Sequence, residues 1–131
     1  MILIDSSVWI DFFNGAEGIA VSALEKLITD EEEAYLSEYI LTEVLQGFRE
    51  DREYEAARRC LLKFPIAGLR DKDSYIEAAQ IYRQCRRQGI TIRKTADCLI
   101  ARTAIENNLY LLHNDNDFDL IASVCPLKIY V

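Results

Sequence analysis

The sequence predicts an α/β fold, a three-layer α/β/α sandwich with a central, mainly parallel sheet. Short apolar runs typical of buried strands alternate with longer segments whose apolar residues recur every three or four positions, as on one face of a helix. Strands separated by helices usually pair in parallel and are covered by those helices. Half of the 131 residues are hydrophobic, and only five glycines and two prolines interrupt them, so we expect one domain over residues 1–131.

The first half of the chain predicts two strands and a series of helices. Residues 1–4 are apolar and include two β-branched side chains, which favours a buried strand. Asp5, Ser6 and Ser7 follow at once and combine a strand end with side chains that cap helices, so a helix begins there. Ser37 is a second predicted cap. The other expected elements are helices at 18–30, 38–50 and 53–63, a strand at 34–36, and a short edge strand at 66–68 after Pro65.

The second half contains the clearest helical pattern. Residues 73–88 place Tyr75, Tyr82 and Cys85 on one face, and Gly89 ends the helix. The remaining expected elements are a helix that Thr95 caps and that ends near 107–108, a strand at 109–112, a short helix containing Phe118 and Ile121, and a last strand at 127–131.

The net charge of −7 and the pI near 4.7 argue against a protein that grips nucleic acid through a generally basic surface. A carboxylate cluster that holds a cation softens this objection, because the cation offsets the negative charge and can itself contact a phosphate.

We expect a cytoplasmic protein. The residues before Asp5 are too few for the core of a signal peptide, and no segment approaches a membrane span. The cysteines lack metal-ligand spacing and lie beside apolar neighbours, so buried free thiols are expected at Cys60, Cys85, Cys98 and Cys125.

Two groups of carboxylates are expected at the same edge of the sheet. Asp5 directly follows the first strand, and the turn after the 109–112 strand holds Asp115, Asp117 and Asp119. Carboxyl ends of parallel strands face the crevice where ligands bind. The spacing predicts that Asp115 points inward, that Asp117 is a helper or helix cap, and that Asp119 faces solvent. The alternatives are an N-cap role for Asp5 and surface turn chemistry for the others.

Glu43 and Asp97 complete the candidate set. Glu43 falls in the middle of the apolar face of its helix, where an unpaired charge is costly, so it needs a cation, a proton or a metal. Asp97 lies in the first turn of its helix, where the dipole keeps a carboxylate ionised. The alternatives are a salt bridge between Glu43 and an arginine, and local helix electrostatics for Asp97.

Asp5, Glu43, Asp97 and Asp115 offer only oxygen ligands, which favours Mg²⁺, or Mn²⁺ as a substitute, over zinc. Such ions can activate a water, bind a phosphate oxygen and stabilise the leaving oxygen of a phosphodiester. We interpret His113 as a structural residue, with a supporting role beside Asp115 as the alternative.

The chain resembles the PIN-domain family in the order and spacing of IDSSVWID at 4–11, LTEV at 41–44, TADCLIA at 95–101 and LHNDNDF at 112–118. The resemblance covers essentially the whole chain, and the small size is similar to that of VapC-type toxins of toxin–antitoxin pairs. It implies a magnesium-dependent endoribonuclease in which Asp5, Glu43, Asp97 and Asp115 coordinate metal, with Asp117 as an additional acidic residue. His113 stands where the family often has Thr or Ser.

The resemblance also implies partners. It implies a homodimer held by a VapB-type antitoxin. A segment of the antitoxin lies over the helical region from Tyr39 to Leu62 and inserts an arginine near the carboxylates. The alternative is core packing of that apolar region.

Four basic residues around Gly89 are candidate contacts for the RNA backbone: Arg86, Arg87, Arg93 and Lys94. The alternative is a solvated helix face.

Two other functions stay open at this point. One is a PIN-like binding module that keeps the acidic pocket but does not cleave, and the other is a nuclease that acts on DNA with the same metal chemistry. Cleavage assays with metal and with different nucleic acids distinguish them.

Overall fold

In the computed structural model, which describes residues 1–130, strands and helices alternate along the chain. The strands are β1 (Ile2–Ile4), β2 (Ala34–Tyr35), β3 (Tyr110–Leu112) and β4 (Lys128–Ile129). The helices are α1 (Ser6–Phe13), α2 (Ile19–Thr29), α3 (Glu38–Leu45), α4 (Asp51–Leu61), α5 (Lys72–Arg87), α6 (Thr95–Glu106) and α7 (Asn116–Ala122). The end of the strand predicted at 127–131, Val131, lies outside the described residues. Across residues 1–130, every helix is too short or too polar to span a bilayer.

The four strands form one parallel sheet in the order β2-β1-β3-β4. β1 lies at the centre, and its three side chains are buried because helices cover the sheet. Beyond β2, Ile66 makes a single parallel bridge with Leu36, so the edge strand predicted at 66–68 is reduced to one bridge.

The chain reverses its direction across the sheet after β2. The β1–β2 connection moves towards one edge, and the β2–β3 connection passes β1 and moves towards the other. Because crossovers between parallel strands are right-handed, these two connections place helices on opposite faces. Accordingly α1 packs with α2, and α5, α6 and α7 pack with one another, while α3 contacts both α1 and α6. The predicted α/β/α class is confirmed, and the reversal opens a crevice beyond the carboxyl ends of β1 and β3.

One predicted helix is shorter than expected. The segment 38–50 is helical only to Leu45, and the next helix begins at Asp51. Gly47 lies in the gap, and glycine disfavours a helix interior by about 1 kcal/mol relative to alanine.

One of the two caps predicted at Ser37 and Thr95 is confirmed. The Ser37 hydroxyl accepts a hydrogen bond from the Ile40 N–H at 3.1 Å. Thr95 is instead the first residue of α6, and the N-cap position belongs to Lys94, whose side chain makes no capping bond. The start of α6 therefore lacks a neutral cap, and Asp97 supplies the negative charge of its first turn.

The four cysteines are free thiols, as predicted. Cys85 and Cys98 are buried, whereas Cys60 and Cys125 are only partly buried, so the prediction of burial is right for two of the four. Burial raises the pKa of Cys98 to about 12, which keeps this thiol protonated and unreactive.

Candidate metal centre

Asp5 is held at the junction of β1 and α1. Its backbone N–H donates to the Leu112 carbonyl at 2.9 Å, which continues the β1–β3 ladder by one residue. Its Oδ2 atom accepts the backbone N–H of Ser7 at 3.0 Å and the Ser7 hydroxyl at 2.5 Å, and so caps α1. Burial raises the pKa of the carboxyl, and the bonds from Ser7 oppose that rise. Asp5 is therefore both the N-cap that the alternative interpretation proposed and a buried carboxylate at the crevice.

The turn after β3 is tied to the start of α1. Asn114 donates its backbone N–H to the Ser7 hydroxyl at 3.0 Å and its side-chain amide to Asp11 at 2.8 Å. Ser7 thus contacts Asp5 and the turn that carries Asp115. These bonds fix the relative position of two carboxylates that lie far apart in the sequence.

Three carboxylates converge at the crevice. Asp97, Asp115 and Asp117 each offer one oxygen, and these three oxygens lie within 4.8 Å of one another. Asp97 is 5% exposed, and its Oδ2 atom is buried without a hydrogen-bond partner among residues 1–130. Burial, followed by the charges of Asp115 and Asp5, raises the pKa of Asp97 to about 7. A buried carboxylate oxygen without a donor beside two further carboxylates fits a cation ligand.

Glu43 approaches Asp5 from α3 and is not one of the three carboxylates whose oxygens converge. Its Oε1 atom accepts a hydrogen bond from the Ser6 hydroxyl at 2.9 Å, beside Asp5. Partial burial and the charge of Asp5 raise the pKa of Glu43, while Lys94 lowers it. Within residues 1–130 Glu43 makes no ion pair, so the structure gives no support to the alternative of an arginine partner.

Asp115 belongs to the acidic cluster, as predicted, and it also takes the helix cap that was one alternative for Asp117. Asp115 is the N-cap of α7, and its Oδ1 atom accepts the Asp117 N–H at 3.0 Å. Asp117, expected as helper or cap, is buried and does not cap the helix. Asp119 is exposed, as predicted. The cap falls on Asp115 because α7 begins at Asn116, directly after it.

Two of the four basic candidates lie at the centre. Arg93 contacts Asp117 at 3.3 Å and Asp115 at 3.6 Å, although its side chain is 70% exposed. Lys94 lies close enough to lower the pKa of both Asp97 and Glu43.

Arg86 and Arg87 lie at the end of α5, away from the carboxylates. Arg86 is placed over the ring of Tyr82 at 5.6 Å, and Arg87 borders an open depression with Gln84 and Ile90. Neither makes an ion pair with the acidic cluster. Sequence reasoning grouped all four basic residues by their proximity to Gly89, but only the pair after the turn reaches the crevice.

Sequence reasoning missed the hydroxyls that orient the carboxylates. Their position predicts only helix caps, whereas in the structure Ser6 binds Glu43 and Ser7 binds Asp5 and Asn114. The available signal was their position directly after an acidic strand end, where a short hydroxyl can reach a neighbouring carboxylate.

The described residues fit a hard divalent cation. Three carboxylate oxygens, one from α6 and two from the start of α7, converge, one carboxylate oxygen is buried without a donor, and two serine hydroxyls hold the flanking carboxylates. Mg²⁺ and Mn²⁺ prefer such carboxylate oxygens. An ion in this place could polarise a phosphate oxygen and an attacking water.

Comparison with known proteins gives consistent matches over nearly the whole chain. The family described as PIN domain matches residues 2–124. Ribonuclease VapC11 of Mycobacterium tuberculosis is 36% identical over 129 residues, which is 98% of this chain and 96% of that protein.

Solved structures match in fold. VapBC2 from Rickettsia felis, bound to a DNA fragment from its promoter, aligns with a TM-score of 0.77 and 18% identity over 99% of this chain and 98% of that chain. A toxin–antitoxin complex from Klebsiella pneumoniae aligns with a TM-score of 0.72 and 23% identity over 98% of this chain and 100% of that chain. At these identities the likeness establishes the fold.

Proposed function

This chain belongs to the PIN-domain family, and on that premise we propose that it is a VapC-type toxin, a Mg²⁺-dependent endoribonuclease of a type II toxin–antitoxin pair. The Oδ2 atom of Asp97, buried without a donor beside Asp115 and Asp117, is the observation that carries the proposal. Its burial is costly unless a cation or a proton compensates the charge. The identity with a ribonuclease over nearly the full length supports RNA as the substrate.

Asp5, Glu43, Asp97 and Asp115 would hold Mg²⁺, or Mn²⁺ in its place, with Asp117 as an additional acidic ligand. A bound ion would activate a water and stabilise negative charge on the phosphodiester during hydrolysis. The chain's own residues prepare the site, because Ser7 orients Asp5 and Ser6 orients Glu43. Carboxylates that are already oriented lose little freedom when they bind an ion.

The decisive experiment is a cleavage assay on protein freed of any partner. We expect cleavage of at least one RNA in a panel of tRNA, rRNA and single-stranded DNA with Mg²⁺ or Mn²⁺, none with EDTA, and none by the folded Asp5→Asn variant. Cleavage of DNA alone would favour the DNA nuclease. Absence of cleavage under every condition would favour the binding module, and unaltered activity of Asp5→Asn would refute the carboxylate site.

The position of Arg93 and Lys94 predicts which basic residues contact RNA. In an Asp5→Asn background that prevents cleavage, we expect the paired change Arg93→Gln and Lys94→Gln to weaken RNA binding. The slope of log affinity against log salt should fall by about 1.4, since each phosphate contact with a single strand contributes about 0.7.

Arg86→Gln with Arg87→Gln is the matched control, because it removes the same charge from residues that lie away from the carboxylates. We expect this control to leave the salt slope unchanged. Equal effects of both pairs in a fluorescence-anisotropy titration would show that general charge, and not a local contact, governs binding.

A groove between α1 and α3 is the proposed binding surface for a segment of a VapB-type antitoxin. The groove has a volume of about 370 Å³, and its apolar wall comprises Ile10, Phe13, Val44 and Phe48. Ile40 and Leu61, expected in the same region, are core residues, whereas Tyr39 and Leu62 are exposed. Because α3 carries Glu43, an arginine of a partner lying here could reach the carboxylates. Pull-down of the cognate antitoxin by the Phe48→Glu variant tests this surface, and undiminished capture would reject it.

A homodimer is proposed through the α5–α6 face. Two depressions of about 130 and 520 Å³ share Tyr75 and Leu99, and Tyr75 is 55% exposed. An exposed apolar patch of this kind is typical of an interaction surface. Sedimentation of the Tyr75→Glu variant tests it: we expect a monomer, and an unchanged dimer would exclude this face.

The cytoplasmic location stays a prediction.

A further inference from the structure

His113, the single histidine of the chain, is placed between β3 and the carboxylates. Its side chain is only 7% exposed, and its ring packs against Phe118 with 5.3 Å between the ring centroids. A buried imidazole in a polar turn needs partners for both ring nitrogens.

Both ring nitrogens have such partners. The backbone N–H of Asp115 donates to Nδ1 at 3.1 Å, and Nε2 lies 3.1 Å from Oδ1 of Asp119. A backbone N–H can only donate, so Nδ1 must carry a lone pair, and the proton belongs on Nε2, which donates to Asp119.

The bond to Asp115 replaces a common helix-start contact. In a capping box the N-cap N–H is accepted by a Glu or Gln side chain three residues later. Asp115 is the N-cap of α7, and the residue three positions on is Phe118, which offers no acceptor. The Nδ1 atom of His113 accepts this N–H from the other side of the turn. A Ser or Thr hydroxyl can accept the same kind of bond from an N–H two residues ahead, so the imidazole acts here as a short hydroxyl side chain would.

We propose that His113 is a positioning residue, which holds the Asp115 backbone through Nδ1 and thereby orients the Asp115 carboxylate for the metal. Asp119 accepts a hydrogen bond from Nε2 and so favours the tautomer in which Nδ1 is unprotonated and can accept the Asp115 N–H. The inference rests on the proposed metal site, but its first test needs no metal. It differs from a packing role, because packing against Phe118 does not require a particular nitrogen to be unprotonated.

The first test is nitrogen-15 NMR of the imidazole in the metal-free protein, where one histidine gives one set of signals. We expect a protonated Nε2 and an unprotonated Nδ1. Asp119→Ala should shift the population towards the other tautomer, and Asp119→Asn, which keeps an acceptor oxygen, should shift it less. A proton on Nδ1 in the wild-type chain would overturn the proposal.

The second test compares two substitutions. His113→Phe keeps a ring against Phe118 but removes the acceptor, whereas His113→Asn keeps an acceptor that can reach the N–H two residues ahead. We expect His113→Phe to speed hydrogen exchange of the Asp115 amide in the metal-free protein and to weaken Mn²⁺ binding by about tenfold or more, as is typical when a residue supporting a ligand is lost. His113→Asn should restore both.

The outcomes separate the two proposals. The positioning role is overturned if His113→Phe leaves the Asp115 amide protected and Mn²⁺ affinity unchanged. It is also overturned if His113→Asn exchanges the Asp115 amide as fast, and binds Mn²⁺ as weakly, as a folded His113→Phe variant. If calorimetry detects no Mn²⁺ binding by the wild-type chain, the proposed metal site fails, and with it the role given to His113. If His113→Phe does not fold, the wild-type tautomer and the Asn variant still decide.

Discussion

Asp97→Asn is expected to abolish RNA cleavage while making the metal-free protein more stable. The pKa of Asp97 is raised to about 7 by burial and by the charges of Asp115 and Asp5. An amide removes the charge that these surroundings oppose. At pH 8 we expect the free energy of unfolding to rise by about 2 kcal/mol, less than full conversion of the pKa shift because solvent and Lys94 screen the carboxylate. Cleavage should fall about 1,000-fold or more, since the metal's stabilisation of the transition state is lost.

Urea unfolding in EDTA, beside a cleavage assay with Mn²⁺, measures both effects. Asp73→Asn is the matched control, because Asp73 also lies in the first turn of a helix but is exposed. It should lose about 0.5 kcal/mol of helix-dipole stabilisation and retain cleavage. If Asp97 served only local helix electrostatics, both substitutions would lower stability, and the assignment of Asp97 to a metal centre would be wrong.

The raised pKa of Asp97 also predicts a pH dependence. The folded group titrates near 7 and the ordinary value is 3.8, so between these values the folded state retains a proton that the unfolded state has released. The corresponding stability is present below about pH 4 and is lost as the pH rises through 7. In EDTA, the stability gained by Asp97→Asn should therefore be larger at pH 8 than at pH 5. An equal gain at both values would contradict the perturbed carboxyl.

Glu106→Ala is expected to cause a large loss of stability without touching the metal centre. The Glu106 side chain is 2% exposed and accepts bonds from the Ser74 hydroxyl at 2.5 Å and the Arg70 N–H at 3.0 Å. It also pairs with Arg102 at 3.4 Å. Removing one partner of a buried ionic group leaves the others uncompensated, so we expect the free energy of unfolding to fall by about 3 kcal/mol, measured by urea unfolding.

Arg70→Ala is the control for Glu106, because the Arg70 side chain is 75% exposed and its backbone N–H persists in the variant. Its loss should stay below about 1 kcal/mol. Burial opposes ionisation of Glu106, but the donors from Ser74, Arg70 and Arg102 together lower its pKa. The stability that ionised Glu106 contributes is therefore present above the ordinary pKa of a glutamate, and it is lost as the pH falls through the lowered pKa of the folded state. Equal losses in the two variants would show that the buried contacts do not hold this end of α6.

Much of the fold and of the candidate site could be predicted because it is encoded locally. The apolar run before Asp5 predicts β1, and the capping side chains from Asp5 to Ser7 predict the start of α1, as the structure confirms. Glu43 stood out as a carboxylate on an apolar helix face, and Asp97 as an acid in a first helical turn; the structure brings both towards Asp5. Whether these residues bind metal stays a prediction.

The details that differ from the structure concern where helices begin and end. Asp115 and Asp117 are two residues apart, so a small shift in where α7 begins decides which of them caps the helix. The periodicity of the 38–50 segment continues past Leu45, although the chain turns at Gly47. Apolar spacing predicts that an element exists more reliably than it predicts where the element ends.

By itself the sequence determined the alternation of strands and helices, the carboxylates at the strand ends and helix start, and through its motifs the likeness to the PIN-domain family. Only the tertiary structure decided how these groups are paired. Ser6 binds Glu43 across 37 positions and Asn114 binds Ser7 across 107, while Arg93 and not Arg86 meets the aspartates. The physical reason is that hydrophobic periodicity and helix capping depend on residues only a few positions apart in the sequence. Contacts across the crevice depend instead on the strand order that places β1 beside β3.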